Sequence, residues 1–458
     1  MNSPSAKSLL VRLFTMESER LSPSERMVLR AFSNFCWLFV PLVVLFVVAR
    51  TYRDTCTYSP DDLRNRVVGA RVMLVGHDPY TFFWQKGMPE ELLDPVHDPK
   101  AHRLTASPPT LLIYAVVAPL PFRTQRFISF VFEWLAMIAS LVLLAWSLPE
   151  WRQRVVFVLG ATLFVIATDI WRFHLERGQV YVFHLLALSA AIAWSRRGQI
   201  DSLPAGIALG VLALMRPNLL VIAPALLIMR QWRSSSAMLA TVGVGVATTF
   251  LILPTSSWQS YLEVGDQYYR SAEDFGPGPD DFPAPDHTGP VEGVQFCISL
   301  PNLACSSFGH YYYVLRTGFG LPRLDIGLTC KIILAGLAVL LLALVWLRRG
   351  GDVRSAFALI VAMSLDTEFF LPIRWSYAEL MQLAPLALML PVLLSKGGTN
   401  LPVLGVVLVG LASGTMGQSF FDLETATVLR SWLVMGALTV LAIAYEPEAH
   451  TEGHTNRG

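Results

Sequence analysis

The feature that most constrains this chain is the recurrence of apolar runs near the length of a bilayer core, many of them closed by a short cluster of arginines. The runs fall at about 31–49, 108–121, 127–148, 155–168, 179–195, 203–215, 217–230, 237–254, 326–347, 355–371, 378–394, 401–416 and 427–444. A hydrocarbon core takes roughly 17–25 residues of helix to cross. Within it every backbone N–H and C=O must be satisfied inside the segment, so such runs fold as α-helices. Composition agrees: 53% of the 458 residues are hydrophobic and 15% are charged, against about 25% charged in a soluble domain. A net charge of +1 gives no global attraction for nucleic acid.

The basic clusters set the expected orientation, because short cytoplasmic loops collect Arg and Lys. Arg152/Arg154, Arg196/Arg197, Arg230/Arg233, Arg348/Arg349/Arg354 and Lys396 mark the inner side. The N-terminus, with Lys7, Arg12, Arg20, Arg26 and Arg30 before the first run and no cleavage site after it, reads as cytoplasmic and not as a signal peptide. Residues 50–107 and 255–325 then form two large outer loops, the second lysine-free and acidic at Asp266, Glu273, Asp274, Asp280, Asp281 and Asp286. Only an odd number of crossings fits between the first loop and Arg152. The short run 108–121, bracketed by Pro108-Pro109 and Pro119-Leu-Pro121, is therefore expected to be half-embedded or re-entrant, leaving 127–148 as the second span. The expectation is an all-α integral membrane protein of about twelve transmembrane helices. Residues 1–445 form one polytopic domain, and 446–458 a polar cytoplasmic tail. Segment 270–292, rich in Pro, Gly and Asp, reads as irregular. No internal repeat of the kind found in transporters is visible.

The first outer loop is the most informative stretch. Ser59-Pro60-Asp61-Asp62 reads as a helix start with acids in its first turn. Leu63, Val67, Ala70 and Leu74 then share one face, while Asn65, Arg66 and Arg71 fall elsewhere, the pattern of an amphipathic helix lying on the membrane surface. It closes at Gly76, before the turn His77-Asp78-Pro79-Tyr80. A carboxylate held at a helix N-terminus beside the outer interface suits a general base, and a simple capping acid explains the same residue. Further along, Asp169 to Gln179 is too charged to face lipid and is expected to form an outer connection. Arg172 within it, Arg216 at an outer turn and Arg374 before Trp375 share one depth. Planar guanidinium forks suit phosphate oxygens, and snorkelling or structural ion pairs are the alternative. Glu133 within a span, and Asp366 and Glu368 near the end of another, are costly in lipid and are expected to be paired within the bundle. His102, His174, His287 and His310 are further acid/base candidates without metal-ligand spacing. Of the five cysteines, Cys297 and Cys305 share a loop and suit either a disulfide or two free thiols.

In this order the motifs resemble those of glycosyltransferase family 87. They are Asp62-Leu63 through Ala70-Arg71 to Gly76-His-Asp78-Pro79-Tyr80; Pro108-Pro109 with Pro119-Leu-Pro121; Gly178-Gln179; Gly206, Gly210 and Arg216-Pro217; and Leu371-Pro372-Ile-Arg374-Trp375-Ser376-Tyr377. The resemblance spans roughly residues 30–395. Three departures accompany it. Asn65-Arg66-Val67 replaces an aromatic pair, Arg216 stands where lysine is commoner, and the late element has Ile373-Arg374 and lacks a histidine. The resemblance implies a GT-C-type bundle in the plasma (inner) membrane, with both termini cytoplasmic and the active site extracytoplasmic. It implies an inverting transfer of a mannose-like or other sugar from a polyprenyl-phosphate donor to a lipid or glycan hydroxyl. Asp62 is the implied base and Arg216, with Arg374 and Arg172, the implied phosphate-holding group. Gln179, Asp78, Tyr80, Tyr377 and His102 complete the residues expected at the substrates. No cofactor or metal is expected, since the leaving group is a phosphomonoester and Asp61-Asp62 is not a DxD motif.

Two rivals come from other classes. A secondary transporter would concentrate ionisable groups at mid-membrane on broken helices, whereas these clusters sit at outer helix ends. A lipid-linked oligosaccharide polymerase or ligase shares the large outer loops but has no need of the Asp62 helix.

Overall fold

The structure, a computed structural model, describes residues 23–57, 61–82, 84–93, 104, 106–167, 169–195, 200–253, 255–271, 326–349, 353–369, 376–394, 407 and 423–444. His102, Arg374, Glu368, Cys297, Cys305, most of segment 255–325 and the tail 446–458 lie outside the described residues or their described side chains, as does the side chain of Tyr377. Among the described residues there is no strand: helices are joined by turns, bends and short irregular connections. In chain order the helices are α1 (Pro23–Thr57), α2 (Asp61–Leu74), α3 (Pro108–Ala115), α4 (Phe122–Ser147), α5 (Trp151–Ala167), α6 (Asp169–Arg177), α7 (Tyr181–Ser195) and α8 (Leu203–Met215). They continue with α9 (Ile222–Ile228), α10 (Trp232–Ile252), α11 (Thr255–Ser271), α12 (Ile326–Leu347), α13 (Val353–Phe369), α14 (Leu383–Leu393) and α15 (Leu423–Ala444). Short 3₁₀ helices run over Glu90–Leu92, Pro217–Val221 and Ser376–Gln382.

By length and composition, α4 and α10 are each long and apolar enough to cross a membrane. A third span is formed if Trp151–Val165 and Ile170–Arg177, bent by 62° at their junction, are one unit. α7, α8, α14 and parts of α12, α13 and α15 are apolar but shorter, so the described helices mark a membrane bundle without fixing twelve crossings. The outside of α4 shows why lipid is the solvent there. Phe127, Phe132, Leu135, Ile138 and Val142 are all exposed on a helix whose opposite face is buried. In water such a stripe is a large apolar patch; in hydrocarbon it is an ordinary surface.

The core runs from α4 through α15 as one cluster that includes Trp134, Phe157, Trp171, Leu185, Leu212, Phe357, Met381 and Met435. α4 packs along α7, α7 along α8, and α8 along α10. The last pair approaches most closely because α8 turns glycines to its partner. A Cβ on Gly206 would stand 2.7 Å from Ala237 Cβ, and one on Gly210 2.5 Å from Thr241 Cβ. Small residues one turn apart are a common device for joining helices where no hydrophobic effect drives them together. The same corner is closed by hydrogen bonds: Asp201 Oδ1 accepts from the backbone N–H groups of Arg233 (2.6 Å) and Ser234 (3.1 Å), capping α10 from another segment.

Several expectations gain detail. The run 108–121 yields a helix of eight residues, about 12 Å long at 1.5 Å per residue, too short to cross. Asp169 to Arg177, expected as a connection, is the helix α6, bent away from α5 because its charges cannot continue into lipid. The segment expected as the second large loop, residues 255–325, opens with the helix α11. α2 has the expected bounds, and Gly76 takes the left-handed φ of +82° that ends it. It is more deeply enclosed than a surface helix. Leu63, Val67 and Ala70 are buried as expected, but so are Arg64, Arg66, Val72 and Met73, whereas Leu74 is exposed. α2 packs against α3, α6 and the 3₁₀ turn Glu90–Leu92; contacts from several directions leave no single solvent face.

Candidate active site

The site end of the bundle is built on the turn between α6 and α7. Gly178, with φ +66°, terminates α6: its N–H bonds Leu175 O (3.1 Å) and the Gln179 N–H bonds His174 O (3.1 Å). This pair of bonds is the Schellman closure, which calls for glycine at the left-handed position. Glycine is needed here a second time, because a Cβ would meet Leu63 Cβ of α2 at 2.6 Å. The close approach brings α2 and the turn into register. Arg126, buried at the start of α4, donates from Nη2 to Leu175 O and, at 3.5 Å, to Glu176 O, so a cation sits on the carbonyl end of α6.

Gln179 then lies between two residues of α2. Its Nε2 donates to Asp62 Oδ2, and its Oε1 accepts from Arg66 Nη2 at 2.8 Å. Arg66 Nη1 donates to Gly178 O at 2.8 Å, and its guanidinium stands 6.0 Å from the centre of the Tyr114 ring. Asp62 Oδ2 is also 3.7 Å from Arg177 Nη1, and the carboxylate remains 28% exposed. Two residues past Gln179, Tyr181 starts α7; its hydroxyl accepts from Arg216 Nη2, and its ring lies 4.6 Å beneath the guanidinium. Arg216 follows the last turn of α8 and precedes the 3₁₀ turn Pro217–Val221. His184, buried one turn along α7, meets the Tyr181 ring edge-on at 5.3 Å. Asp62, Gln179 and Arg216 are thus brought together through one short stretch of chain.

The other candidates have different surroundings. Arg172 pairs with Glu176 at 2.6 Å, one turn away on α6. Asp78 and Tyr80 form a clasp: Asp78 Oδ1 accepts from the Tyr80 N–H (3.0 Å), Oδ2 from Ser260 Oγ (2.5 Å), and the Tyr80 hydroxyl donates to Ala106 O (2.8 Å). Burial, then the neighbouring Tyr261 phenol and Asp78 carboxylate, push the Tyr80 phenol above its usual range, so it stays a donor. These bonds pin the first loop to α11 and to the approach to α3. Arg71 does similar work on the other side, donating to Ala118 O (2.8 Å), Glu91 O (3.0 Å) and Leu120 O (3.4 Å). Gln125 Nε2 adds bonds to Val117, Ala118 and Leu120 carbonyls, so side chains reinforce the backbone bonds of the proline turn 119–121.

Behind the site Glu133 finds the partners expected of a carboxylate within a span. Its Oε1 accepts from Ser129 Oγ, and Oε2 lies 3.3 Å from His174 Nδ1. His174 Nε2 accepts the Val182 N–H at 3.1 Å. A nitrogen that accepts holds no proton, so the neutral ring carries its proton on Nδ1, toward Glu133. Asp366 on α13 accepts from Thr439 Oγ1 at 2.9 Å.

Sequence reasoning missed Arg66, Arg126, Arg177 and Tyr181 as members of the site. Arg66 stood out only as a departure from the family pattern, though its place one turn after Asp62 on the same helix was a usable signal. Tyr181 was overlooked because an aromatic at the head of an apolar run looks like core.

Among known proteins, the model of glycosyltransferase family 87 matches residues 105–277. No curated protein and no solved structure matches the chain. The family match indicates a glycosyltransferase. It takes in α3 to α11, with Gly178-Gln179, Gly206, Gly210 and Arg216; Asp62, Asp78, Tyr80, His102, Arg374 and Tyr377 fall outside it.

Proposed function

We propose that this chain is an inverting glycosyltransferase of the extracytoplasmic side of the plasma membrane, moving a sugar from a polyprenyl-phosphate donor to a hydroxyl of a lipid or glycan acceptor. The observation that carries the reading is the tie of two reactive groups to one turn. Asp62 accepts from Gln179, and Arg216 donates to Tyr181 two residues later. A carboxylate and a guanidinium that flank one short segment serve the two ends of one reaction, proton removal and phosphate departure.

The roles follow from the chemistry. Asp62, part-exposed beside the turn, takes the proton of the acceptor hydroxyl. The acceptor oxygen forms a bond to the anomeric carbon as the bond from that carbon to the phosphate oxygen breaks, its electron pair leaving with the phosphate. Arg216 opposes that charge, and the Tyr181 ring beneath it holds the orientation of the planar fork. No metal is assigned to the reaction. The orientation rests on the arginine clusters: Arg152/Arg154 and Arg230/Arg233 lie at the turns α4–α5 and α9–α10, one helix length away from the Asp62 end.

The test is Asp62→Asn in purified protein, with polyprenyl-phosphate mannose as donor and octyl mannoside as acceptor. Transfer should fall by about 10²–10⁴-fold, the range for loss of a general base. Transfer at the wild-type rate removes Asp62 as base. For orientation, Asn65→Cys should react with a membrane-impermeant maleimide from outside the cell; labelling only from the cytoplasmic side overturns it.

A further inference from the structure

We infer that Arg66 is a positioning residue which, through the Gln179 amide, dictates that Oδ1 of Asp62 is the oxygen that takes up the acceptor's proton; this rests on Asp62 acting as the base. The inference begins with donor and acceptor counts. A guanidinium only donates, an ionised carboxylate only accepts, and a primary amide does one at each end. Gln179 stands between the two, its Oε1 2.8 Å from Arg66 Nη2 and its Nε2 on Asp62 Oδ2. Turning the amide over would set NH₂ against the guanidinium and C=O against the carboxylate, so the chain admits one orientation.

The arrangement is also fixed from behind. Arg66 is itself buried, and its Nη1 is held by Gly178 O at 2.8 Å, on the residue preceding Gln179. One guanidinium thereby grips the backbone and the side chain of the same turn. Gln179 is buried as well. Asp62 Oδ2 receives the amide and faces Arg177 Nη1 at 3.7 Å, while Oδ1 takes part in neither contact. The carboxylate cannot rotate without breaking its hydrogen bond from Gln179, so Oδ1 stays on the side away from Gln179 and Arg177, where the proposal places the acceptor hydroxyl. In the reaction the acceptor O–H bond breaks and an O–H bond forms at Oδ1, while Oδ2 keeps its amide donor throughout.

The experiment compares Arg66→Met, Gln179→Met, their double variant and Arg66→Lys, with polyprenyl-phosphate mannose and octyl mannoside as probes. Each Met variant should lower kcat about tenfold to a hundredfold, the scale of a misplacement near 1 Å, while KM for donor and acceptor stays within about twofold because ground-state binding is untouched. The double variant should be no worse than the worse single, since the two side chains act as one unit. Arg66→Lys, a compact ammonium in place of a planar fork, should recover part of kcat. Wild-type kcat in Arg66→Met, or losses that multiply in the double variant, overturns the inference. Asp62→Asn serves as the separate control: if it is inactive while Arg66→Met is fully active, the base reading stands and only the positioning role falls. A readout independent of turnover is the melting temperature in nanodiscs. Coupling between Arg66→Met and Asp62→Asn should vanish in a Gln179→Met background; coupling that persists there means Arg66 acts without the amide, which also overturns the proposal.

Discussion

Gly178 lies so close to Leu63 that a Cβ on the glycine would stand 2.6 Å from the Cβ of the leucine. The contact joins the helix that carries Asp62 to the turn that carries Gln179. Gly178→Ala should therefore be harmful twice over. Forcing alanine to φ +66° costs about 1–2 kcal/mol, and the clash moves α2 off the turn. The expected result is a lower melting temperature together with a loss of transfer activity beyond what the melting shift explains. Leu63→Gly in the same molecule removes the Cβ that the alanine would strike and should restore part of the activity, while the backbone strain at position 178 remains. A Gly178→Ala protein with wild-type melting and rate is the outcome that rules this account out.

Arg216 and Tyr181 make separable predictions. If the guanidinium holds a donor phosphate, Arg216→Ala should raise KM for the polyprenyl-phosphate donor tenfold or more, the order of a lost charge-assisted hydrogen bond of about 1.5–3 kcal/mol. Tyr181→Phe keeps the ring under the guanidinium and removes only the hydroxyl, so its effect should stay near fivefold, about 1 kcal/mol. Steady-state kinetics on both variants, with melting temperatures beside them, separate the cases. An Arg216→Ala protein whose KM is unchanged and whose melting temperature collapses would make the residue structural.

The Glu133–His174 pair is buried behind the site, with Ser129 and the Val182 N–H as its outer partners. Glu133→Leu removes the acceptor of the Ser129 hydroxyl and the carboxylate that faces His174 Nδ1 at 3.3 Å, and should cost about 1–3 kcal/mol for the hydroxyl left without its partner. Glu133→Gln retains an acceptor oxygen and should stay within about 1 kcal/mol of wild type by the same reasoning. The check is thermal unfolding of both variants in nanodiscs. Equal damage from the two substitutions would show that the negative charge, and not the acceptor, is what the site requires.

How much of this was legible beforehand follows from what each signal depends on. Helix positions were read well where a run is both long and apolar: Phe122–Ser147 and Ile326–Leu347 fall close to the expected 127–148 and 326–347. The charged stretch Asp169–Arg177, expected to form a connection, is a helix, because polarity argues against lipid but not against helix, and tertiary contact with α2 and α4 supplies what lipid cannot. For α2 the pattern gives the bounds and the buried Leu63, Val67 and Ala70, yet it sets Arg66 off the apolar face, where the structure buries it. A guanidinium is invisible to hydrophobic periodicity when its burial is balanced by a carbonyl and an amide more than 100 residues away, as at Gly178 and Gln179. The Asp78–Tyr80 motif is expected at the substrates, and its bonds to Ser260 and Ala106, which no local pattern announces, hold loops together.

The seam between α8 and α10 supplies an internal control on the role of glycine. A Cβ on Gly210 would stand only 2.5 Å from Thr241 Cβ and one on Gly206 2.7 Å from Ala237 Cβ, whereas Gly243 on α10 has nothing within 4 Å of its Cβ position. Glycine inside a helix costs about 1 kcal/mol relative to alanine, so the same substitution should have opposite signs at these sites. Gly243→Ala should leave melting unchanged or raise it slightly. Gly206→Ala and Gly210→Ala should lower it, because the two backbones must separate by the width of a methyl group. The functional consequence is directional as well. Arg216 sits directly past the last turn of α8, so a displaced α8 carries the guanidinium away from Tyr181. The Gly210→Ala protein should therefore show a raised donor KM with little change in the acceptor KM. If Gly243→Ala proves as damaging as Gly210→Ala, the close contact is not what the glycines are for, and the helix-seam account fails.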